Sequence, residues 1–61
     1  MSTYWMIEQI IDHRAHWWVA SVREWTTDAS KASHYQTQAD AKSVMSRGEM
    51  LDCFVTEHVD L

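Results

Sequence analysis

The residues of this chain that could do chemistry are its four histidines and its single cysteine. His13 and His16 have a His-x-x-His spacing, and with Asp12 they could contribute to a zinc site, to which Cys53 and His58 would add ligands. A structural zinc usually draws paired Cys or His residues from two places in the sequence. Here the two histidines fall in a short polar segment that is typical of a hairpin turn. The pattern therefore favours solvated loop residues, and we expect no bound metal and no cofactor.

Nucleophilic catalysis by Cys53 would need a base within reach. His58 lies five residues further along the same predicted strand, and an odd separation places the two side chains on opposite faces. Free cysteines more often behave as small apolar residues. Glu8, Glu24 and Glu57 could line up on neighbouring strands as paired carboxylates, but nothing fixes their separation. With little room for a sequestered pocket in 61 residues, we expect no catalytic residues and no enzymatic activity.

Charge and hydropathy limit which partners are open to the chain. Its formal net charge is −4, from nine acidic and five basic side chains. The basic residues are spread along the sequence, whereas non-specific nucleic-acid affinity rests on clustered Lys and Arg. No run approaches the roughly 20 apolar residues that a membrane-spanning helix needs, and no signal peptide is recognisable. We expect a cytoplasmic protein that contacts neither nucleic acid nor membrane directly.

A single domain over residues 1–61 will have a thin core. A domain of this size buries only about 60% of the surface that its unfolded chain exposes, and one cysteine cannot form an internal disulfide. Aromatic packing could supply the missing apolar area, since the chain has four tryptophans: Trp5, Trp17, Trp18 and Trp25. A bound metal or self-association would be the alternative source.

Alternating and β-branched runs predict an α+β fold, a small antiparallel sheet of three to four strands with one helix packed on one face. The predicted strands cover residues 4–12, 16–25, 33–36 and 50–59. A short polar connection at 12–15 makes the first two strands a hairpin, although it lacks the Asn-Gly or Gly-Gly pair that would fix the turn type. Thr27 or Asp28 is expected to cap a single helical turn before the third strand. The order of elements is then ββ, turn, βαβ.

The helix is predicted over residues 38–47. Thr37 followed by Asp40 approximates a capping box, with Asp in the place of the usual Glu or Gln. An apolar stripe at helical spacing would face the sheet. The stripe consists of Ala41, Val44 and Met45. Gly48, the only glycine, stands where a left-handed C-terminal cap is favoured.

The later part of the chain has a distinctive arrangement of residues. It consists of Trp25-Thr-Thr-Asp, then Lys31-Ala32, then Tyr35, Thr37 and Ala41, and finally Val55-Thr-Glu-His58. This arrangement resembles a pattern of small phage and prophage accessory proteins of unknown function, W-x-T-D, K-A, [FY]-x-T-x-x-x-A and V-x-E-H. The resemblance covers about the last two thirds of the chain and implies this fold and a phage context, without an activity. The Trp17-Trp18 pair and His13/His16 depart from the pattern and are candidates for an individual function.

The Trp17-Trp18 pair is the strongest indication of function. Adjacent strand residues point to opposite faces of a sheet. One helix covers only one face, so one of the two indole rings is expected to be exposed. An exposed tryptophan within an apolar patch is typical of a protein-binding site. The alternative is that the sheet curls, or that a loop or terminus shields both rings.

These features predict a small protein-binding module. The residues expected to contact the partner are Trp17 or Trp18 at the centre and Asp12, Glu24 and Asp52 at an acidic rim that favours a basic protein. The partner would be a host or phage protein, for example one with a basic nucleic-acid-binding surface. The specific function predicted is stoichiometric inhibition of a bacterial defence complex such as a CRISPR effector. One alternative is a self-associating structural or regulatory protein, a homodimer about a two-fold axis. Another is a zinc-dependent module that uses the two loop histidines.

Overall fold

A four-stranded antiparallel sheet with one helix forms the architecture of the protein. The computed structural model describes residues 2–48 and 50–60. The strands are β1 (Ser2–Ile11), β2 (Arg14–Val19), β3 (Glu24–Thr26) and β4 (Phe54–Asp60), and their order in the sheet is β3-β2-β1-β4. A single 3₁₀ turn spans Ala29–Lys31, and the helix α1 (Gln38–Arg47) packs against β1 and β4. The predicted α+β class is therefore confirmed.

Strand β1 lies inside the sheet and organises the core. It pairs with β4 along residues 2–8 and with β2 along residues 8–11. Met6 and Ile7 are consecutive, so their side chains point to opposite faces, and both are 0% exposed. The middle of β1 is therefore covered on both faces of the sheet.

A two-residue turn at Asp12 and His13 joins β1 to β2. Ile11 pairs with Arg14 on either side of it, and the turn residues have φ values of 52° and 64°. Positive φ at both central residues is what a type I′ turn requires, and its twist matches that of the flanking strands. The predicted hairpin is confirmed, with a turn type that the sequence did not mark.

The segment predicted as one long strand, residues 16–25, forms two strands instead. Strand β2 ends at Val19, which pairs with Glu24 of β3, and residues 20–23 reverse the chain. Arg23 adopts a φ of 53° at the end of this turn. The prediction was wrong because the turn contains no Gly, Pro, Asn or Asp, and Ser21, the one residue in it of a turn-favouring type, gives a weaker signal than those residues.

The strand predicted at 33–36 is reduced to one bridge between Tyr35 and Trp5. The Tyr35 N–H donates to the Trp5 carbonyl at 2.8 Å, and the Trp5 N–H donates to the Tyr35 carbonyl at 2.7 Å. Strand β2 pairs only with residues 8–11 of β1. The bridge thus satisfies backbone groups of β1 that β2 does not reach.

The last strand begins at Phe54 and not at the predicted residue 50. Asp52 has a φ of 59°, outside the range of an extended strand, and it separates the preceding residues from β4. Leu51, predicted on the buried face of this strand, is 79% exposed.

Both helical elements begin at the predicted caps. The Asp28 carboxylate accepts hydrogen bonds from the Ser30 hydroxyl at 2.6 Å and the Ser30 N–H at 3.0 Å, and these bonds lower the pKa of Asp28. The Thr37 hydroxyl accepts from the Asp40 N–H at 3.1 Å and caps α1. Neither helix in the described ranges is long and apolar enough to cross a membrane.

The buried side of α1 is the predicted stripe, with Ala41 0% exposed and Val44 and Met45 half-buried. Gly48 is the C-terminal cap, but its φ of −84° is not the left-handed cap that was predicted. A Cβ atom at Gly48 would lie 3.3 Å from the Val44 carbonyl oxygen and 3.2 Å from Cγ of Met50. Close packing at the end of α1 therefore accounts for the glycine.

Candidate functional site

The two central tryptophans lie on opposite faces of the sheet, as predicted. Trp17 pairs with Glu8 and Thr26, whereas Trp18 pairs with Trp25. Both indole rings are half-buried. The expectation that one of the two rings would be exposed is therefore wrong.

Trp18 lies on the same side of the sheet as α1. It lines a cavity together with Val44 and Arg47 of that helix. Its ring also packs edge-on against Trp25, with centroids 5.3 Å apart and an interplanar angle of 61°. Trp18 is covered by these neighbours and belongs to the layer between helix and sheet.

Trp17 lies on the opposite face, which we call the outer face. Its Nε1–H donates to Oε1 of Glu8 at 3.0 Å, across the ladder between β2 and β1. Glu8 is half-buried, and a hydrogen bond made away from bulk water is electrostatically stronger than one made in water. This bond fixes the edge of the indole on the sheet and leaves part of the ring accessible.

Two exposed apolar side chains share the outer face with Trp17. Ile10 is 53% exposed and Phe54 is 44% exposed. Phe54 is the partner of Glu8 on β4, and Ile10 is two residues beyond Glu8 on β1, so the register places all of them on one face. We call Ile10, Trp17 and Phe54, arranged around Glu8, the outer patch.

The acidic residues predicted as a rim are all exposed: Asp12, Glu24 and Asp52. Glu24 pairs with Val19 and is therefore a diagonal neighbour of Trp17 on the outer face. Asp12 follows the end of β1, and Asp52 precedes the start of β4. Because these strands are antiparallel, the two carboxylates belong to the same end of the sheet as Ile10 and Phe54.

Sequence reasoning did not single out Ile10 and Phe54 as contact residues. The signal was present, because Phe54 interrupts the polar side of the last predicted strand and Ile10 helps to make both faces of the first strand apolar. What the sequence lacked was the register. Only the pairing of Glu8 with both Trp17 and Phe54 shows that these apolar groups share a surface.

The candidate metal ligands have separate roles in the structure. His13 is exposed in the hairpin turn, and Nδ1 of His16 donates to the Arg14 carbonyl at 2.9 Å. His58 stacks on the Tyr4 ring at 5.4 Å. No group of three or more His, Cys, Asp or Glu residues within 2–48 and 50–60 is arranged to hold a metal ion.

Comparisons with known proteins leave the site to be judged on its geometry. No protein-family model matches the chain, and neither a curated protein nor a solved structure matches it. The resemblance to phage accessory proteins therefore stays a prediction. The fold is that of a small α+β protein in which Ile10 and Phe54 are exposed on the sheet face away from the helix.

Proposed function

We propose that the protein acts by binding another protein stoichiometrically through the outer patch. The observation that carries this proposal is the exposure of Ile10 and Phe54 beside Trp17 on one sheet face. Contiguous exposed apolar surface marks interaction sites, and aromatic residues are enriched at the centres of interfaces. The hydrogen bond from Trp17 to Glu8 holds the aromatic anchor in place before the partner arrives.

The charge around the outer patch supports a basic partner. Asp12, Glu24 and Asp52 are exposed around it, and the chain carries a net charge of −4. Complementary charge at a rim speeds association and excludes wrong partners more than it adds affinity. A partner with Lys or Arg surrounding an apolar centre would satisfy both parts of the surface.

The sequence resemblance gives the proposal its biological setting. The partner is then a host or phage protein in the host cytoplasm, and a basic nucleic-acid-binding surface suits the acidic rim. Inhibition of a bacterial defence complex such as a CRISPR effector is the concrete case. The mechanism is occlusion of the partner's surface, and it requires no catalytic residue.

Two exposed apolar residues of β4 provide a matched test. Phe54 is 44% exposed and belongs to the outer patch, whereas Val59 is 52% exposed and points to the other face, since five residues separate them. The parent chain, Phe54→Ser and Val59→Ser would serve as baits in host lysate, after circular dichroism shows that each is folded. We expect one host protein to be retained in equal molar amount by the parent and Val59→Ser, and lost by Phe54→Ser. Retention by all three baits, or by none, would contradict the proposal.

Self-association through β4 is the second candidate function. Strand β4 has seven residues and lies at an edge of the sheet, where its outward backbone groups have no strand partner within the described residues. Such an edge is a template for pairing with another strand, and two copies could pair antiparallel about a two-fold axis. Sedimentation equilibrium at several concentrations separates the candidates: a stable dimer in both serine variants would favour the edge, and a monomer would favour the outer patch.

A further inference from the structure

A second candidate site, which is concave, lies on the helix side of the sheet, away from the outer patch. It is a cavity of about 440 Å³ between the β2–β3 turn and the C-terminal end of α1. Cavities that hold small molecules commonly have volumes from about 300 to 1,000 Å³. The size of the cavity therefore suits a compact organic ligand.

Two arginines from separate parts of the chain line this cavity. Arg23 comes from the β2–β3 turn, where its backbone is held at a φ of 53°, and Arg47 is the last residue of α1. None of the described residues that line the cavity carries a carboxylate. The chain has five basic residues and a net charge of −4, and two of those five residues line this one cavity.

The rest of the cavity wall is apolar and includes an aromatic ring. Trp18 forms part of the wall, and its edge-to-face contact with Trp25 restricts its movement. Val44 and Met50 also line the cavity. Guanidinium groups bind carboxylates through paired hydrogen bonds, and an indole ring offers a flat surface on which another aromatic ring can pack.

We propose that this cavity is a binding site for a small aromatic carboxylate. The carboxylate is held by Arg23 and Arg47, and the flat ring packs beside Trp18 and against Val44 or Met50. The carbonyl groups at the end of α1 carry a partial negative charge that opposes an anion. Both arginines are therefore needed, and a site with only one of them binds poorly.

The test uses 1-naphthoate as the probe and 1-naphthamide as its uncharged counterpart. Binding is followed by the shift of the Trp18 indole N–H resonance, assigned by comparison with Trp18→Phe. We expect saturable binding of naphthoate, and a loss of roughly tenfold or more in affinity for naphthamide, since the charged hydrogen bonds are then missing. Arg23→Gln and Arg47→Gln should each lower the affinity for naphthoate by a similar factor. Lys42→Gln changes an exposed residue of α1 outside the cavity and should leave that affinity unchanged.

Arg23→Lys and Arg47→Lys serve as controls for folding, because they keep the charge and lose only the paired hydrogen bonds. These variants should bind with intermediate affinity. Equal binding of naphthoate and naphthamide, unchanged binding by the glutamine variants, or shifts confined to Trp17 would overturn the proposal. The last ligand tested is a peptide with a C-terminal phenylalanine, and its competition with naphthoate would identify a protein terminus as a source of the same chemistry. Phe54→Ser should leave every result unchanged, because the outer patch is a separate surface.

Discussion

Trp18 and Trp25 face each other across the ladder between β2 and β3, with ring centroids 5.3 Å apart and ring planes at 61°. That ladder has only three residue pairs, and Ser21 is the only residue of its turn whose type favours reversal of the chain. The contact between the two rings therefore adds side-chain packing to a ladder that has few hydrogen bonds. It also fixes the ring that forms one wall of the arginine-lined cavity.

The first prediction concerns the energy of this aromatic pair. Trp18→Leu, Trp25→Leu and the double variant form a double-mutant cycle that keeps apolar bulk at both positions. Edge-to-face packing should give a coupling energy of about 0.5–1.5 kcal/mol beyond the loss of buried area. Urea unfolding followed by circular dichroism measures it. Additivity within about 0.3 kcal/mol would show that the two rings are merely neighbours.

The limits of sequence reasoning on the fold are clearest in this same hairpin. Residues 16–25 continue a period-2 pattern, and periodicity alone cannot distinguish one long strand from two strands joined by a turn that only Ser21 marks. By contrast, α1 was predictable to its ends because Thr37 and Gly48 bracket an apolar stripe. Local chemistry thus determined the helix, whereas tertiary pairing determined the short strand.

The candidate site was predictable in kind but not in composition. The sequence indicated an aromatic anchor with acidic neighbours, and Trp17 does lie on the face away from α1. The other members of the outer patch depend on the register of three strands, since Phe54 and Trp17 share a face only because both pair with Glu8. A one-residue shift of β4 would have moved Phe54 to the opposite face.

A second prediction follows from the turn between β1 and β2. His13 has a φ of 64°, and a left-handed conformation costs a side-chain-bearing residue roughly 1–2 kcal/mol. His13→Gly should therefore raise the free energy of unfolding, by roughly 0.5–1 kcal/mol after the greater freedom of glycine in the unfolded chain is subtracted. His13→Val, which is β-branched, should lower it. Urea titration of both variants tests the prediction, and a gain in stability for valine would show that the turn is not type I′.

A third prediction concerns the Tyr35 hydroxyl. Its oxygen is buried and makes no hydrogen bond of good geometry among the described residues. Burial raises the pKa of Tyr35 above its ordinary value of 10.0, although the nearby Ser33 hydroxyl and the Arg47 charge offset part of this rise. An unsatisfied buried polar group costs about 1–3 kcal/mol. Tyr35→Phe should therefore leave the stability at neutral pH unchanged or raise it by up to about 1 kcal/mol, given that the residue is only partly buried.

The pH dependence of the same variant has a definite sign. Because the folded chain holds the Tyr35 proton more tightly than the unfolded chain, stability is present below the ordinary pKa of 10.0 and is lost as the pH rises through the higher folded value. Tyr35→Phe removes this loss. The gap between variant and parent should widen with pH in unfolding experiments on the alkaline side of that value, and a constant gap would contradict the prediction.

The last prediction concerns the reactivity of Cys53. Burial raises the pKa of the Cys53 thiol above 9.0, and the Asp52 carboxylate beside it raises that pKa further. The thiolate is the reactive form, so a disulfide reagent should modify the native thiol more slowly than the thiol of the urea-unfolded chain at the same pH. Asp52→Asn should increase the native rate, because it removes the negative charge while asparagine tolerates the φ of 59° at this position.

Asp60→Asn is the matched control, since it removes an exposed carboxylate at the far end of β4. It should leave the rate unchanged, whereas an equal increase in both variants would attribute the effect to net charge and not to Asp52. The pH dependence of the free energy of unfolding must agree in sign with the reaction rates. A thiol whose folded pKa is raised contributes stability below the unfolded pKa, and that contribution is lost as the pH rises through the folded value. Asp52→Asn should therefore retain more of its neutral-pH stability in alkaline solution than the parent, and Cys53→Ala in each background should abolish the difference.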